Sequence, residues 1–287
     1  MWATRHRWGE SGVRASVPHS PFWDIIEKAM TLGFLGTGEI TSAMVTGLSS
    51  HDTEFRSIRV SPRNLQIATN LANRFRGVSI ASSNQDLLDF SDTVVIAVRP
   101  PIARDVLSEL RFRPDHRVIS VVSALSLESA TELVAPVTRI TRAVPLPSTA
   151  KRMGPTAIYP PDRFVNDLFA AIGTVFAVET EAEFDAICAA TATIATFYAF
   201  MDGVASWLCS NQIPKAEARD YVARMFMGVT STASDRPENS FQSLASAHAT
   251  RGGINDQFLR YLVERGLLTS ITEGLELVMQ RIRVSGK

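Results

Sequence analysis

A doubly wound parallel α/β sheet followed by an all-helical C-terminal half is the fold this sequence predicts. Three observations predict it. Short apolar runs alternate with helix-periodic stretches between residues 31 and 144, a Gly-x-Gly turn separates the first run from the first helix, and beyond residue 178 the pattern is almost purely helical.

Residues 31 to 35 form an apolar run that ends in Gly36-Thr37-Gly38 and opens into Glu39-Ile40-Thr41-Ser42-Ala43-Met44-Val45, where apolar positions recur with helical spacing. This reads as strand, tight turn, helix. Ser57-Ile58-Arg59-Val60 gives a second strand, and residues 64 to 74 a second helix with Leu65, Ala68, Leu71 and Ala72 on one face. Residues 78 to 81 and 84 to 90 repeat the pair. Thr93-Val94-Val95-Ile96-Ala97-Val98 runs uninterrupted between Asp92 and Arg99-Pro100, as a strand covered on both faces does. A helix closing at 106 to 110, a strand at 118 to 122, a helix at 127 to 133 and a sixth strand at 139 to 144 complete the alternation, which implies parallel strands joined by right-handed crossovers. After Pro145-Leu146-Pro147 come short strands at 156 to 159 and 173 to 178, then helices at 183 to 208, 215 to 233, 241 to 249, 256 to 265 and 270 to 283. The expected division is an extension over 1–29, poorly ordered, a nucleotide-binding domain over 30–180 and a helical substrate and dimerisation domain over 181–287.

Composition narrows the function classes. Lys plus Arg and Asp plus Glu both total 29, so no net charge draws the chain to nucleic acid or an anionic membrane, and neither is an expected partner. No uninterrupted apolar run reaches 18 residues. Cys188 and Cys209 belong to no CxxC pattern and read as small buried hydrophobes in a reducing, cytoplasmic compartment. His6, His19, His51, His116 and His248 lack metal-ligand spacing, so no metal is expected.

The glycine turn carries the chemistry. With a strand before it and a helix after it, Gly36 permits the tight turn and Gly38 lets a diphosphate approach the backbone, where the N–H groups of Glu39 and Ile40 face it. This is the Rossmann-type dinucleotide arrangement, with Thr41 at the third glycine position. An NAD site would place an acid at the end of the second strand. This chain has Val60-Ser61-Pro62-Arg63-Asn64 instead, so Ser61, Arg63 and Asn64 are expected to hold a 2′-phosphate and the cofactor to be NADP(H). The alternative is an Arg in an ordinary loop. Asn84 and Ala97-Val98-Arg99-Pro100 are placed beside the adenosine and nicotinamide halves.

The residues quoted so far resemble the 1-pyrroline-5-carboxylate reductase family from residue 30 to residue 283. The resemblance rests on Gly33-Phe34-Leu35-Gly36-Thr37-Gly38 with Ala43-Met44, on residues 92 to 100, on Val118-Ile119-Ser120-Val121-Val122-Ser123-Ala124, on Arg142-Ala143-Val144-Pro145 and on Gly252-Gly253. It implies NAD(P)H-dependent reduction of a cyclic imine carboxylate and a helical domain intertwined in a homodimer. Ser123, as a catalytic residue, and Val144 and Pro145, as substrate residues, are then expected to border the nicotinamide. Gly252, Gly253 and Ile254 are expected to seat a substrate carboxylate, with Asn255 donating to it as a catalytic residue or serving only as a helix cap. Thr191, Thr193 and Tyr198 are further candidates for the same cleft, or for dimer core.

The sequence departs from the family at Leu146-Pro147-Ser148, at Thr191-Ala192-Thr193-Ile194-Ala195 and at Ile254-Asn255, which shifts the expected substrate rather than the cofactor. Two other readings stay open. A beta-hydroxyacid-type dehydrogenase would carry a lysine on the first long helix after the sheet, and residues 183 to 208 contain none. An NADP-binding regulator without catalysis is favoured by Ile254 and the missing Gly-Pro.

Overall fold

The computed structural model describes residues 30–50 and 57–285; the extension expected at 1–29 lies outside them. Strand β1 (Leu32–Leu35) leads into α1 (Glu39–Ser49), β2 (Ile58–Val60) into α2 (Leu65–Arg74), β3 (Val78–Ile80) into α3 (Asn84–Phe90) and β4 (Thr93–Ile96) into α4 (Pro100–Ser108). The series continues with β5 (Arg117–Ser120), α5 (Leu127–Leu133), β6 (Arg139–Val144) and a 3-10 turn (Pro147–Lys151). β7 (Gly154–Tyr159), α6 (Arg163–Ala170) and β8 (Gly173–Ala177) complete an eight-stranded sheet of order β3-β2-β1-β4-β5-β6-β7-β8. The first six strands are parallel, as expected. β7 reverses against β6 and β8 runs parallel to β7, because the short link through the 3-10 turn folds the chain back instead of carrying it across a helical layer.

Pleating sends neighbouring strand residues to opposite faces, and each face meets its own helices. Phe34, Val95 and Ile119 pack with Met44, Val45 and Leu48 of α1 and Phe169 of α6, whereas Leu35, Val94, Ile96 and Val118 pack with Leu87, Leu88 and Leu107. Burying a Phe, Leu or Val side chain contributes about 1.5–3 kcal/mol. Both layers are therefore needed to fix the strand ends that carry the site.

Beyond the sheet lie α7 (Glu181–Thr191), α8 (Thr193–Ser210), α9 (Lys215–Ser234), α10 (Phe241–His248), α11 (Ile254–Val263) and α12 (Leu267–Ser285). The single helix expected over 183 to 208 is broken at Ala192. The flanking hydroxyls explain it: Thr191 donates to the Cys188 carbonyl and Thr193 to the Ala190 carbonyl, both at 2.7 Å, in competition with regular helix bonding. A capping box of Thr180 and Glu183 starts α7. Helix α12 returns to this end of the molecule, where Ile282 packs against a cluster of Ala157, Phe184 and Cys188. Helix α8 buries no residue in the single chain, and its Phe197 and Phe200 rings meet Phe226 of α9 at 5.5 and 5.7 Å. Burial pushes the Cys188 thiol up to about 12, as an inert core thiol. Cys209, expected buried, is exposed here because it lies on this unburied helix.

His116, fully buried at the foot of β5, gives the sheet a pH dependence. Its Nδ1 accepts the Arg113 backbone N–H at 3.1 Å, so the neutral ring donates from Nε2 to the Leu88 carbonyl, also at 3.1 Å. Desolvation first, then the Arg113 charge, holds its pKa below the ordinary histidine value. The folded state thus favours the neutral ring, so this stabilisation is complete above the unfolded pKa near 6.5 and is lost as pH falls through the lower folded value. Melting temperatures measured from pH 7 downward should fall more steeply in the native protein than in His116→Gln. Parallel curves would show that His116 is not an acid-labile point.

Candidate active site

The strand order reverses between β1 and β4, which is where open α/β sheets bind ligands, outside the carboxyl ends of the strands. Gly36 and the end of β4 meet there. Gly36 has φ +104°, and a Cβ on it would lie 2.6 Å from the Ala97 carbonyl oxygen, so only glycine fits. Gly38 is the opposite case: its backbone is ordinary and extended, and a Cβ on it meets nothing within 4 Å. The turn therefore has a crowded floor and an open roof.

Helix α1 begins under that roof without a side-chain cap, and its first internal bond is Ser42 N–H to the Gly38 carbonyl. The N–H groups of Glu39 and Ile40 precede that bond and keep the positive end of the helix dipole available to an anion. Thr41, at the third glycine position, is fully buried and donates to the Gly36 carbonyl at 2.6 Å, so its hydroxyl fastens the turn from below.

Ser61 departs from its expected place. Its Oγ accepts Gly36 N–H at 3.0 Å and lies 3.0 Å from Thr37 Oγ1, while Thr37 Oγ1 donates to the Ser61 carbonyl at 2.6 Å. With 1% exposure, Ser61 braces the turn from behind and has no face left for a phosphate. Arg63 is exposed at the end of β2. Asn64 caps α2 by accepting Ile67 N–H through Oδ1, which leaves its Nδ2 donor for a ligand. Asn84 opens α3 beyond β3, on the same strand-end edge, and is partly buried.

Across the crevice Ala97 and Val98 are half-buried and Arg99 and Pro100 exposed, with Pro100 opening α4. Ser123 is exposed in the loop after β5, Val144 ends β6 half-buried and Pro145 is buried. These residues lie at or follow the carboxyl ends of β4, β5 and β6.

Residues 252–255 fit their expectation less well. Gly252, with φ +76°, donates its N–H to Asp256 Oδ2 at 2.9 Å, and the Gly253 N–H goes to the Thr250 carbonyl at 2.8 Å. Neither amide is available as a carboxylate seat, because a carboxylate of the chain's own and the preceding turn already occupy them. Asn255 donates Nδ2 to the His248 carbonyl at 3.2 Å, and Ile254 projects with 84% exposure. Among the described residues no hydrogen bond ties 250–256 to the sheet. Thr191 and Thr193 spend their hydroxyls on the helix break, and Tyr198 is exposed on α8. The sequence reading also gave no role to the buried Thr37 or to Arg142, a charged residue within β6 that is only 2% exposed.

Comparison with known proteins gives a consistent frame. The sequence family described as "NADP oxidoreductase coenzyme F420-dependent" matches residues 31–124, and "Pyrroline-5-carboxylate reductase dimerisation" matches residues 181–284. The chain is similar to a pyrroline-5-carboxylate reductase of Vibrio alginolyticus, 23% identical over 260 residues that span 87% of this chain and 95% of the relative. Its fold is similar to that of 1-pyrroline-5-carboxylate reductase from Streptococcus pyogenes, with TM-score 0.78, 24% identity and coverage of 89% of this chain and 98% of that one. It is equally similar, at TM-score 0.78 and 20% identity over 90% of this chain and 98% of the other, to a Plasmodium falciparum pyrroline carboxylate reductase with NADP bound. The helical half matches a dimerisation family, and Phe197, Phe200, Trp207 and Phe258 are large apolar side chains exposed on it in the single chain.

Proposed function

The chain belongs to the pyrroline-5-carboxylate reductase family, and on that premise we propose that it is an NADPH-dependent oxidoreductase that reduces the C=N bond of a cyclic imine carboxylate. The substrate is 1-pyrroline-5-carboxylate, yielding proline, or a close analogue. The observation that carries this reading is the turn of Gly36 to Gly38, crowded below and open above, set against an uncapped helix N-terminus at the point where the strand order reverses. NADP(H), when bound, supplies the hydride.

The chain's own residues bind and orient. Glu39 and Ile40 amides hold a diphosphate over Gly38, Arg63 with the Asn64 amide holds a 2′-phosphate, and Asn84 borders the adenosine. Ala97, Val98, Arg99 and Pro100 flank the cofactor from β4. Ser123, Val144 and Pro145 line the reactive end, where positioning of the imine carbon supplies most of the required acceleration. The domain division at residue 180 and assembly as a homodimer through the C-terminal helices are part of this proposal, with the Ile254 and Asn255 side chains, and not the occupied Gly252 and Gly253 amides, completing the substrate pocket. Nucleic acid and membrane have no place in it.

NADPH consumption measured with a panel of cyclic imines and keto acids tests the reading. Turnover of 1-pyrroline-5-carboxylate or a related cyclic imine is expected. Tight NADPH binding without turnover of any imine would replace the enzyme with a regulator, and turnover of keto acids alone would replace it with a hydroxyacid dehydrogenase. Asn255→Ala should lower kcat/KM by about tenfold, the worth of one hydrogen bond, without changing NADPH affinity. Unchanged turnover would reduce Asn255 to a turn residue bound to the His248 carbonyl.

A further inference from the structure

Arg142 is a charged side chain almost completely removed from water, and its partners come from two parts of the molecule. Its Nη1 donates to Glu181 Oε1 at 2.7 Å and to Asp185 Oδ1 at 3.0 Å, one turn apart on α7. Its Nη2 donates to the Ser123 carbonyl at 3.0 Å, and the guanidinium lies 4.5 Å from the centre of the Phe184 ring. Glu181 Oε1 also accepts the Leu127 N–H at 2.7 Å. The middle of the loop between β5 and α5 and the first residue of α5 are therefore fastened by one network, Ser123 through the guanidinium and Leu127 through Glu181.

We propose that Arg142 is a positioning residue that holds the Ser123–Leu127 loop in register with the helical half, so that the reactive end of the site is fixed with respect to the elements that complete it. The inference rests on the reductase reading for its catalytic consequence, but not for its structural one. A buried guanidinium facing two carboxylates is poor economy as a mere stabiliser, since an apolar cluster of the same volume holds two layers together as well. What it adds is direction. A planar guanidinium with fixed donors sets angles as well as distances, which apolar contact does not. The placement agrees: Arg142 stands two residues before Val144, at the carboxyl end of β6, and its pair with Asp185, 2% and 14% exposed, is shielded from competing water, while Glu181 is 33% exposed.

The test uses the full-length protein without cofactor as well as with it. Amide hydrogen exchange at Leu127 in the cofactor-free protein should rise tenfold or more in Glu181→Gln and in Arg142→Lys, with exchange at Val95 in the central strand unchanged. In the presence of NADPH and the cyclic imine, kcat should fall tenfold or more while the NADPH dissociation constant stays within threefold. Because a single replacement leaves a buried charge unpaired and can unfold the chain, the charge-free triple variant Arg142→Met, Glu181→Gln, Asp185→Asn is the companion. It should melt near the native temperature and still show the exchange and kcat changes. Leu127 exchange and kcat within twofold of native in Glu181→Gln and in the triple variant would overturn the proposal. If the native protein turns over no imine, the reductase reading fails, and the exchange measurement alone decides whether Arg142 positions the loop.

Discussion

Gly38→Val should leave the protein folded at its native melting temperature and weaken NADPH binding by about 100-fold. The backbone at Gly38 is extended, with φ −104° and ψ −165°, which valine adopts without strain, and a Cβ there points into open space. The cofactor-free protein has no reason to resist the change. A branched side chain in that space, however, pushes a diphosphate off the Glu39 and Ile40 amides, and losing one charge-assisted hydrogen bond costs about 1.5–3 kcal/mol, or roughly one to two powers of ten in affinity. Gly36→Ala should behave in the opposite way. A non-glycine residue at φ +104° carries on the order of 1–3 kcal/mol of strain, and the added carbon overlaps the Ala97 carbonyl at 2.6 Å, so the melting temperature should drop by about 5–10 °C even without ligand. Differential scanning calorimetry and NADPH fluorescence titration read the two effects separately. Native affinity in Gly38→Val would remove the diphosphate from this turn and the proposed function with it.

That contrast between two glycines was half legible in the sequence. A strand, Gly36-Thr37-Gly38 and a helix announce the turn, since their order and spacing are local. Which glycine is sterically required depends on Ala97, which is 61 residues from Gly36 and joins it only because β4 pairs beside β1. The same reason explains Ser61. Its position at the end of β2 was readable, yet the direction of its hydroxyl is set by the Gly36 N–H and Thr37 in the turn after β1, contacts that no local pattern encodes. The six parallel strands were readable because each is a short, mostly apolar segment followed by a helix-periodic stretch or a turn, whereas the reversal at β7 follows from a short turn that leaves no periodic mark. Arg142 did leave a mark, a charge inside the run Arg139-Ile140-Thr141-Arg142-Ala143-Val144, with Glu181 and Asp185 four residues apart on a helix to receive it. At Gly252 the expected carboxylate seat assumed free amides, and the structure places Asp256 on one of them, a helix-start acid whose role is evident only from its bond.

Arg63→Ala should weaken NADPH binding by about 10- to 100-fold and leave NADH binding within twofold of native. With Ser61 spent on the turn, the 2′-phosphate of the proposed cofactor falls to Arg63 and to the one free donor of Asn64, so the guanidinium is the principal positive charge available at the end of β2. A hydrogen bond to a charged group is worth about 1.5–3 kcal/mol, and a guanidinium meets a phosphate with two parallel donors, but exposure and salt screening hold the effect toward the lower part of that range. NADH has a hydroxyl where NADPH has the phosphate and gains nothing from the cation, so the two dissociation constants should move apart and their ratio should fall. Raising the ionic strength should shrink the native preference for NADPH and leave that of Arg63→Ala nearly unchanged, because only the native site contains the ion pair that salt screens. Equal weakening of both cofactors would mean that Arg63 supports the loop of residues 61–64 instead of reading the phosphate, and the preference for NADPH would then have to arise elsewhere on the carboxyl edge.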